Sequence, residues 1–288
     1  MTIETIIRDL ISIDGYLCID ELMKEVLTRN FNSYYKQTLD IGKEGDFITS
    51  PEISQLFGET IAAWIVNQWY ALGKPNDFIL FELGPGNGIL MRDIIRVFLL
   101  EKKIINSVTI IFYETNNNFI MKQQKNLKSF DVNILWIDDL DKIPPKPTII
   151  ISNEFFDCLP IKQFKKIKHN WYEVILCLDP RYSYLKFDTV DVNENLQNYL
   201  NYEHPKAKDG AIFEESIETL KLVKKLARLI KNYSGSFLAI DYGYNIAPTK
   251  RKSKEYNSTL QAVKNHQYQP IIDTLGSADL TAHVDLKI

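Results

Sequence analysis

Cysteine is scarce in this sequence: Cys18, Cys158 and Cys177 are the three in 288 residues, too far apart for a C-x-x-C pair. Neither a zinc site nor a disulfide framework is suggested, and a reducing compartment fits. No apolar run approaches the roughly 18 residues of a membrane-spanning helix. Residues 1–30 carry acids among their apolar positions, with neither a basic start nor a long apolar centre. No signal peptide or membrane anchor is therefore expected, and the protein is read as cytoplasmic, of bacterial type, or resident in an equivalent reducing compartment. An excess of positive charge is also missing, since 34 Lys and Arg face 37 Asp and Glu for a net charge of −3. Nucleic acids and acidic membranes are held by clustered lysine and arginine, so neither is an expected partner, and the basic runs 162–168 and 250–254 are too short to change that. His266 and His283 stand isolated among four histidines, and no metal is expected. What remains is ordinary: 45% apolar and 25% charged residues, in a length that suits one large α/β core or one core with an added lobe.

The organising stretch is Phe81-Glu82-Leu83-Gly84-Pro85-Gly86-Asn87-Gly88. It follows an apolar run, 78–81, that reads as a buried strand and precedes 89–100, whose apolar residues recur at helical spacing. Three glycines at alternate positions let the backbone turn tightly and approach a ligand, and the following helix offers unpaired N–H groups. The dinucleotide fingerprint G-x-G-x-x-G would need glycine where Ile89 stands, so it is not met. The spacing E-x-G-x-G-x-G instead resembles motif I of class I S-adenosylmethionine (SAM) methyltransferases.

Along the chain, residues 1–30 read as a helical cap and 31–51 as loop, with Thr49 or Ser50 capping a helix that has Pro51 and Glu52 in its first turn and runs to about Leu72. Residues 107–113 form a second strand ending at Glu114, where nucleoside-binding α/β folds take a ribose through a carboxylate. A third strand, 131–136, leads into Trp136, Asp138 and Asp139. The acids suit an adenine and its amine; Trp136 suits either the adenine face or the core. A fourth strand, 148–151, delivers Asn153, Glu154, Phe155, Phe156 and Asp157 to the same sheet edge. An alternating stretch, 163–187, predicts a β-hairpin, 213–233 an amphipathic helix and 237–240 a fifth strand. The tail 257–288 shows little periodicity. These readings divide the chain into 1–72, a cap with a substrate-side loop, and 73–288, a cofactor-binding domain with an insertion at about 161–233.

Five segments, 45–59, 82–88, 153–160, 241–244 and 279–285, together resemble the MidA-type methyltransferases, a family that includes the mitochondrial arginine methyltransferase required for respiratory complex I assembly. The resemblance implies a class I, Rossmann-like fold: a mostly parallel sheet with helices on both faces. It implies SAM over Glu82, Gly84, Pro85, Gly86 and Gly88, with its ribose on Glu114 and its adenine by Asp138 and Asp139. It also implies a protein arginine as acceptor, for example on a complex I subunit. Family members run beyond the 279–285 segment, so the last strands of the sheet are expected to be missing here. The open edge is expected to pair in a homodimer or with a separate C-terminal polypeptide, or to be covered by residues 257–288 at reduced stability.

Methyl transfer from a sulfonium needs an aimed nucleophile, so positioning carries most of the rate. A guanidinium must be oriented and deprotonated, tasks that suit carboxylates. Glu154 and Asp157 are the nearest, with Asn153 able to orient a nitrogen, and these three are the candidate catalytic residues. Asp46, Thr49, Glu52, Gln55, Phe155 and Phe156 are the candidate acceptor-binding residues, with one phenylalanine expected in the site and the other in the core. The competing reading is a non-catalytic SAM-binding assembly factor. An NAD-dependent oxidoreductase is disfavoured by Ile89 and by the lack of a hydride-transfer pair.

Overall fold

The computed structural model describes residues 1–37, 49–246, 250–252 and 256–286. The chain forms two compact units. One comprises Met1–Gln37, Phe156–Lys221 and Tyr242–Ile288; the other comprises Thr38–Phe155 and Leu222–Asp241.

The second unit is built on five parallel strands, β1 (Phe78–Leu83), β2 (Val108–Tyr113), β3 (Asn133–Ile137), β4 (Thr148–Asn153) and β5 (Gly235–Ile240), in the order β5-β4-β1-β2-β3. Every residue of β1 is buried, as the unbroken apolar run requires of a central parallel strand covered on both faces. On one face Phe78, Leu80, Ile110, Phe112, Ile149 and Ile151 pack with helices α1 (Gln55–Ala71) and α2 (Ile89–Phe98), through Ile61, Ile65, Trp69, Met91, Ile94 and Phe98. Residues of the opposite parity, Ile79, Phe81, Ile111 and Ile150, are equally buried. The chain runs outward from β1 through β2 to β3, then returns to β4 on the other side of β1. The order therefore reverses between β1 and β4, the place where open α/β sheets bind ligands. Register puts the carboxyl ends in line: Leu83 pairs with Tyr113 and Ser152, Tyr113 with Ile137, and Ile240 with Asn153.

The helix expected to run unbroken to Leu72 is interrupted. A single turn, Ser50–Ile53, is followed by Ser54 in an extended conformation, whose hydroxyl accepts from the Leu56 N–H at 3.2 Å and starts α1 afresh. Thr49 occupies the cap position of the short turn, but its side chain makes no capping bond. Ser54→Ala is expected to cost about 1 kcal/mol, the usual loss for an N-cap hydroxyl, measured by urea unfolding.

In the first unit the hairpin expected at 163–187 belongs to a five-stranded antiparallel sheet. Asn170–Leu178 pairs with Lys162–Ile167, Leu185–Asp191 and Leu17–Cys18, and Ile212–Glu215 extends it. That last strand takes residues assigned above to a helix from 213, because Phe213 and Glu215 pair with Phe164 and Lys162; the helix spans Ile217–Tyr233. The helix α3 (Asn117–Leu127) lies between β2 and β3 in the chain. The tail is also structured: Gln261–Lys264, Gln267–Gln269 and Asp279–Thr281 form a small sheet, and Gly243–Tyr244 pairs with Val284–Asp285. Gly243 is obligatory in that pairing, since a Cβ there would lie 1.8 Å from the Val284 carbonyl oxygen.

Candidate functional site

The turn after β1 is built by glycines in the left-handed region: Gly84 at φ 61°, Gly86 at 51° and Gly88 at 76°. Such angles cost an L-residue energy that glycine avoids. Space is limited as well, because a Cβ on Gly84 would meet Phe155 Cδ2 at 2.6 Å and one on Gly88 would meet Gln123 Cγ at 3.2 Å. The turn closes through the Gly88 N–H to the Pro85 carbonyl at 2.8 Å, and α2 begins at Ile89.

Glu82 enters this turn from within β1, 2% exposed. Its Oε2 has no hydrogen-bond partner among the described residues, and burial pushes its carboxyl up to about 8. A buried acceptor without a partner is costly, so its persistence here points to a ligand that supplies a donor or a cation. The shift also fixes a pH dependence. Between about pH 4.5 and 8 the folded chain holds a proton that the unfolded chain has released, so ligand-free stability should fall as pH rises across that window. Glu82→Gln should flatten this slope, as read by urea unfolding at pH 5 and pH 8; an unchanged slope would remove Glu82 as its source.

Glu114 follows β2. Its Oε1 accepts from the Thr115 and Asn116 N–H groups, both at 2.8 Å, and its Oε2 accepts from Gln123 Nε2 at 3.3 Å. Asp138 and Asp139 follow β3 at the surface. The ammonium of Lys142, bonded to Asp138, holds that carboxyl below its usual range; Asp139 is lowered chiefly by the Asp141 N–H, with Lys225 3.6 Å away. Trp136 is half-buried edge-on to Phe112 and donates its indole N–H to Gln123 Oε1 at 2.7 Å.

At the end of β4, Asn153 Nδ2 lies 3.3 Å from Glu154 Oε1, while Asn153 Oδ1 is buried without a hydrogen-bond partner among the described residues. Glu154 has φ 50°, a left-handed angle rare outside glycine, and its N–H donates to the Ile240 carbonyl at 2.9 Å. Burial raises its carboxyl; the Ser50 N–H and Asn153 work the other way, and Asp241 adds to the rise. Strain and a half-desolvated acid at one position suggest a functional constraint. Phe155 lies half-buried against Gly84, its ring 6.3 Å from that of Tyr113 and nearly perpendicular to it.

The chain passes into the first unit at Phe156, which is buried there. Asp157, 6% exposed, accepts from Tyr242 Oη at 2.5 Å, and its main-chain carbonyl accepts from Ala282 N–H at 2.8 Å. Tyr242 also contacts Thr281 Oγ1 at 3.3 Å and packs edge-on to His283. Two sequence segments of unassigned role, 241–244 and 279–285, thus meet around Asp157.

Of the acceptor-side residues, Asp46 lies outside the described residues. Glu52 reaches the glycine turn, its Oε1 accepting from Asn87 Nδ2 at 3.2 Å. Gln55 instead donates to Glu59 at 2.8 Å and accepts from Arg96 at 3.5 Å. Asn87 and Gln123 were missed by reading the sequence, although Asn87 sits inside the glycine motif and its spacing alone could have marked it. Among the described residues one group of possible metal ligands occurs, Cys18, Asp20 and Glu173. Lys162 Nζ already sits 2.5 Å from Glu173 and 3.5 Å from Asp20, and burial pushes the Cys18 thiol up to about 12.

Residues 60–288 match a family model described as "Putative S-adenosyl-L-methionine-dependent methyltransferase". The chain is 32% identical over 296 aligned positions to the mitochondrial protein arginine methyltransferase NDUFAF7 of Xenopus laevis, covering 95% of this chain and 65% of that protein. The human protein of the same name is 30% identical, with 95% and 64% covered. This chain therefore spans about two thirds of the length of these relatives. A crystal structure from Burkholderia thailandensis, holding S-adenosyl-homocysteine (SAH), superposes with a TM-score of 0.83 at 19% identity, over 98% of this chain and 73% of that one. The fold expected from the sequence, a class I Rossmann-like α/β fold, is the fold of that structure.

Proposed function

The chain belongs to this family of SAM-dependent methyltransferases, and from that premise we propose that it transfers a methyl group from SAM to a guanidinium nitrogen of a protein arginine. The observation that carries the reading is the common edge of the second unit's sheet. There the Gly84–Gly88 turn, the unpartnered Glu82 and the strained Glu154 leave adjacent strands on either side of the topological switch. The residues fit the cofactor. Gly84, Gly86 and Gly88 hold the turn at left-handed angles that a side chain would strain, Glu82 Oε2 suits an ammonium group, and the Glu114 carboxylate suits a ribose.

When bound, SAM supplies an electrophilic methyl on a sulfonium. The chain's own residues have to hold and aim the acceptor. Glu154 provides the carboxylate for a guanidinium fork, and its raised affinity for protons favours it as the group that receives the acceptor's proton. Asn153 orients Glu154 through its side-chain amide. Phe155, against the turn, keeps water from the cofactor side. Asp157, held by Tyr242, supports the segment that follows. The name of the relatives supports arginine as acceptor, and the resemblance noted above suggests a complex I subunit. The sparse, unpaired cysteines support a cytoplasmic or equivalent reducing compartment.

Incubating the protein with methyl-labelled SAM and cell extract, then locating the labelled band and residue, tests this reading. Label on an arginine supports it; label on another residue type overturns the acceptor assignment. SAH binding without any labelled product would return the non-catalytic assembly factor. Calorimetric binding of NAD rather than SAH would overturn the cofactor.

A further inference from the structure

Gln123 lies outside every motif noted in the sequence, yet it is 0% exposed and touches three parts of the candidate cofactor site. Its Nε2 donates to the Gly86 carbonyl at 2.7 Å and to Glu114 Oε2 at 3.3 Å, while its Oε1 accepts from the Trp136 indole at 2.7 Å. The orientation of the amide is fixed by chemistry. An indole N–H only donates and a carbonyl only accepts, so rotating the amide by a half turn would set donor against donor and acceptor against acceptor. Gln123 thus links the turn after β1, the acid after β2 and the aromatic at the end of β3.

Each link has a consequence for a ligand. A planar peptide points its N–H opposite to its carbonyl, so holding the Gly86 carbonyl toward α3 aims the Asn87 N–H the other way. The Glu114 carboxylate is gripped on both oxygens, Oε1 by two main-chain N–H groups and Oε2 by Gln123, which fixes the plane in which it can accept further hydrogen bonds. A carboxylate that accepts from a ribose must present that plane correctly before the ligand arrives, or the ordering is charged against binding. Gly88 has the same neighbour: the Gln123 side chain fills the space beside its α-carbon, so turn and amide are packed as one unit.

Resting on the reading that this unit binds SAM, we propose that Gln123 is the positioning residue that sets Glu114 for the ribose hydroxyls and locks the glycine turn to it. It acts through these groups and touches no reacting atom.

The test compares binding of SAH and of its 2′-deoxy counterpart by calorimetry. Wild type is expected to prefer SAH by about tenfold, the scale of a hydrogen bond to a charged group. Gln123→Met, similar in size but without donors, should weaken SAH binding by roughly tenfold to a hundredfold and shrink the preference for the 2′-hydroxyl to about twofold. If the preference stays at the wild-type ratio while both ligands weaken equally, Gln123 is a packing residue and the proposal is overturned. Unchanged affinity in the variant overturns it too. Should Gln123→Met fail to fold, Trp136→Phe takes its place. It keeps the ring against Phe112 but removes the donor that orients the amide, and it should shift the same ratio in the same direction. Failure of wild type to bind SAH at all would instead remove the cofactor reading, a result distinguishable from either of these.

Discussion

Gly84→Val is expected to lower SAH affinity by at least a hundredfold while leaving most of the sheet intact. Two penalties act together. At φ 61° a β-branched residue occupies a region that costs about 1–3 kcal/mol for any non-glycine side chain. The added carbon would also start 2.6 Å from the Phe155 ring, forcing either Phe155 or the turn to move. Whichever moves, the space through which a ligand passes is filled or reshaped. Gly86→Val, at φ 51°, should behave similarly. Gly73 supplies the control, because its φ of 80° is equally left-handed but nothing lies within 4 Å of the position of its Cβ. Gly73→Ala should lose about 1 kcal/mol of stability with SAH affinity unchanged. If Gly84→Val binds SAH as wild type does, the turn is not the cofactor cradle.

Sequence revealed the sheet because each strand of the second unit is its own signal. A parallel strand buried on both faces must be apolar throughout, so 78–81 and 148–151 stand out without knowledge of their partners. The run 237–240 stands out too, although as the edge strand it is only partly buried. The turn after β1 was equally legible, since glycine adopts its angles without the cost other residues meet. What escaped depended on partners distant in the chain. Residues 213–215 have the composition of a helix start, and only pairing with Lys162–Phe164 makes them a strand. The strands Gln261–Lys264 and Asp279–Thr281 are short and partly polar, and each is justified by the other. Gln123 looks like a solvated position on an amphipathic helix, as a neutral amide usually is. Its role follows from Gly86 and Glu114, 37 and 9 residues away, which no local pattern connects to it. Glu154 was legible as an acid at a strand end, whereas its left-handed angle was not.

That angle shapes the remaining prediction. Glu154→Gln should leave SAH affinity within about twofold, because the residue lies at the end of β4 and its shape is preserved. It should lower methyl transfer to a protein acceptor by at least a hundredfold, since an amide neither pairs with a guanidinium fork through charge nor takes up its proton. Glu154→Gly separates chemistry from strain. Glycine adopts φ 50° without penalty, so this variant should be as stable as wild type or up to about 1 kcal/mol more so, while being equally poor in transfer. A position where stability rises as activity vanishes is one the fold strains for a purpose. Thermal unfolding and labelled-SAM turnover on the same preparations decide the matter. Normal turnover by Glu154→Gln would show that another group holds the acceptor, and a large loss of stability in Glu154→Gly would show that the carboxylate, with its Ser50 and Asn153 contacts, is there to hold the fold.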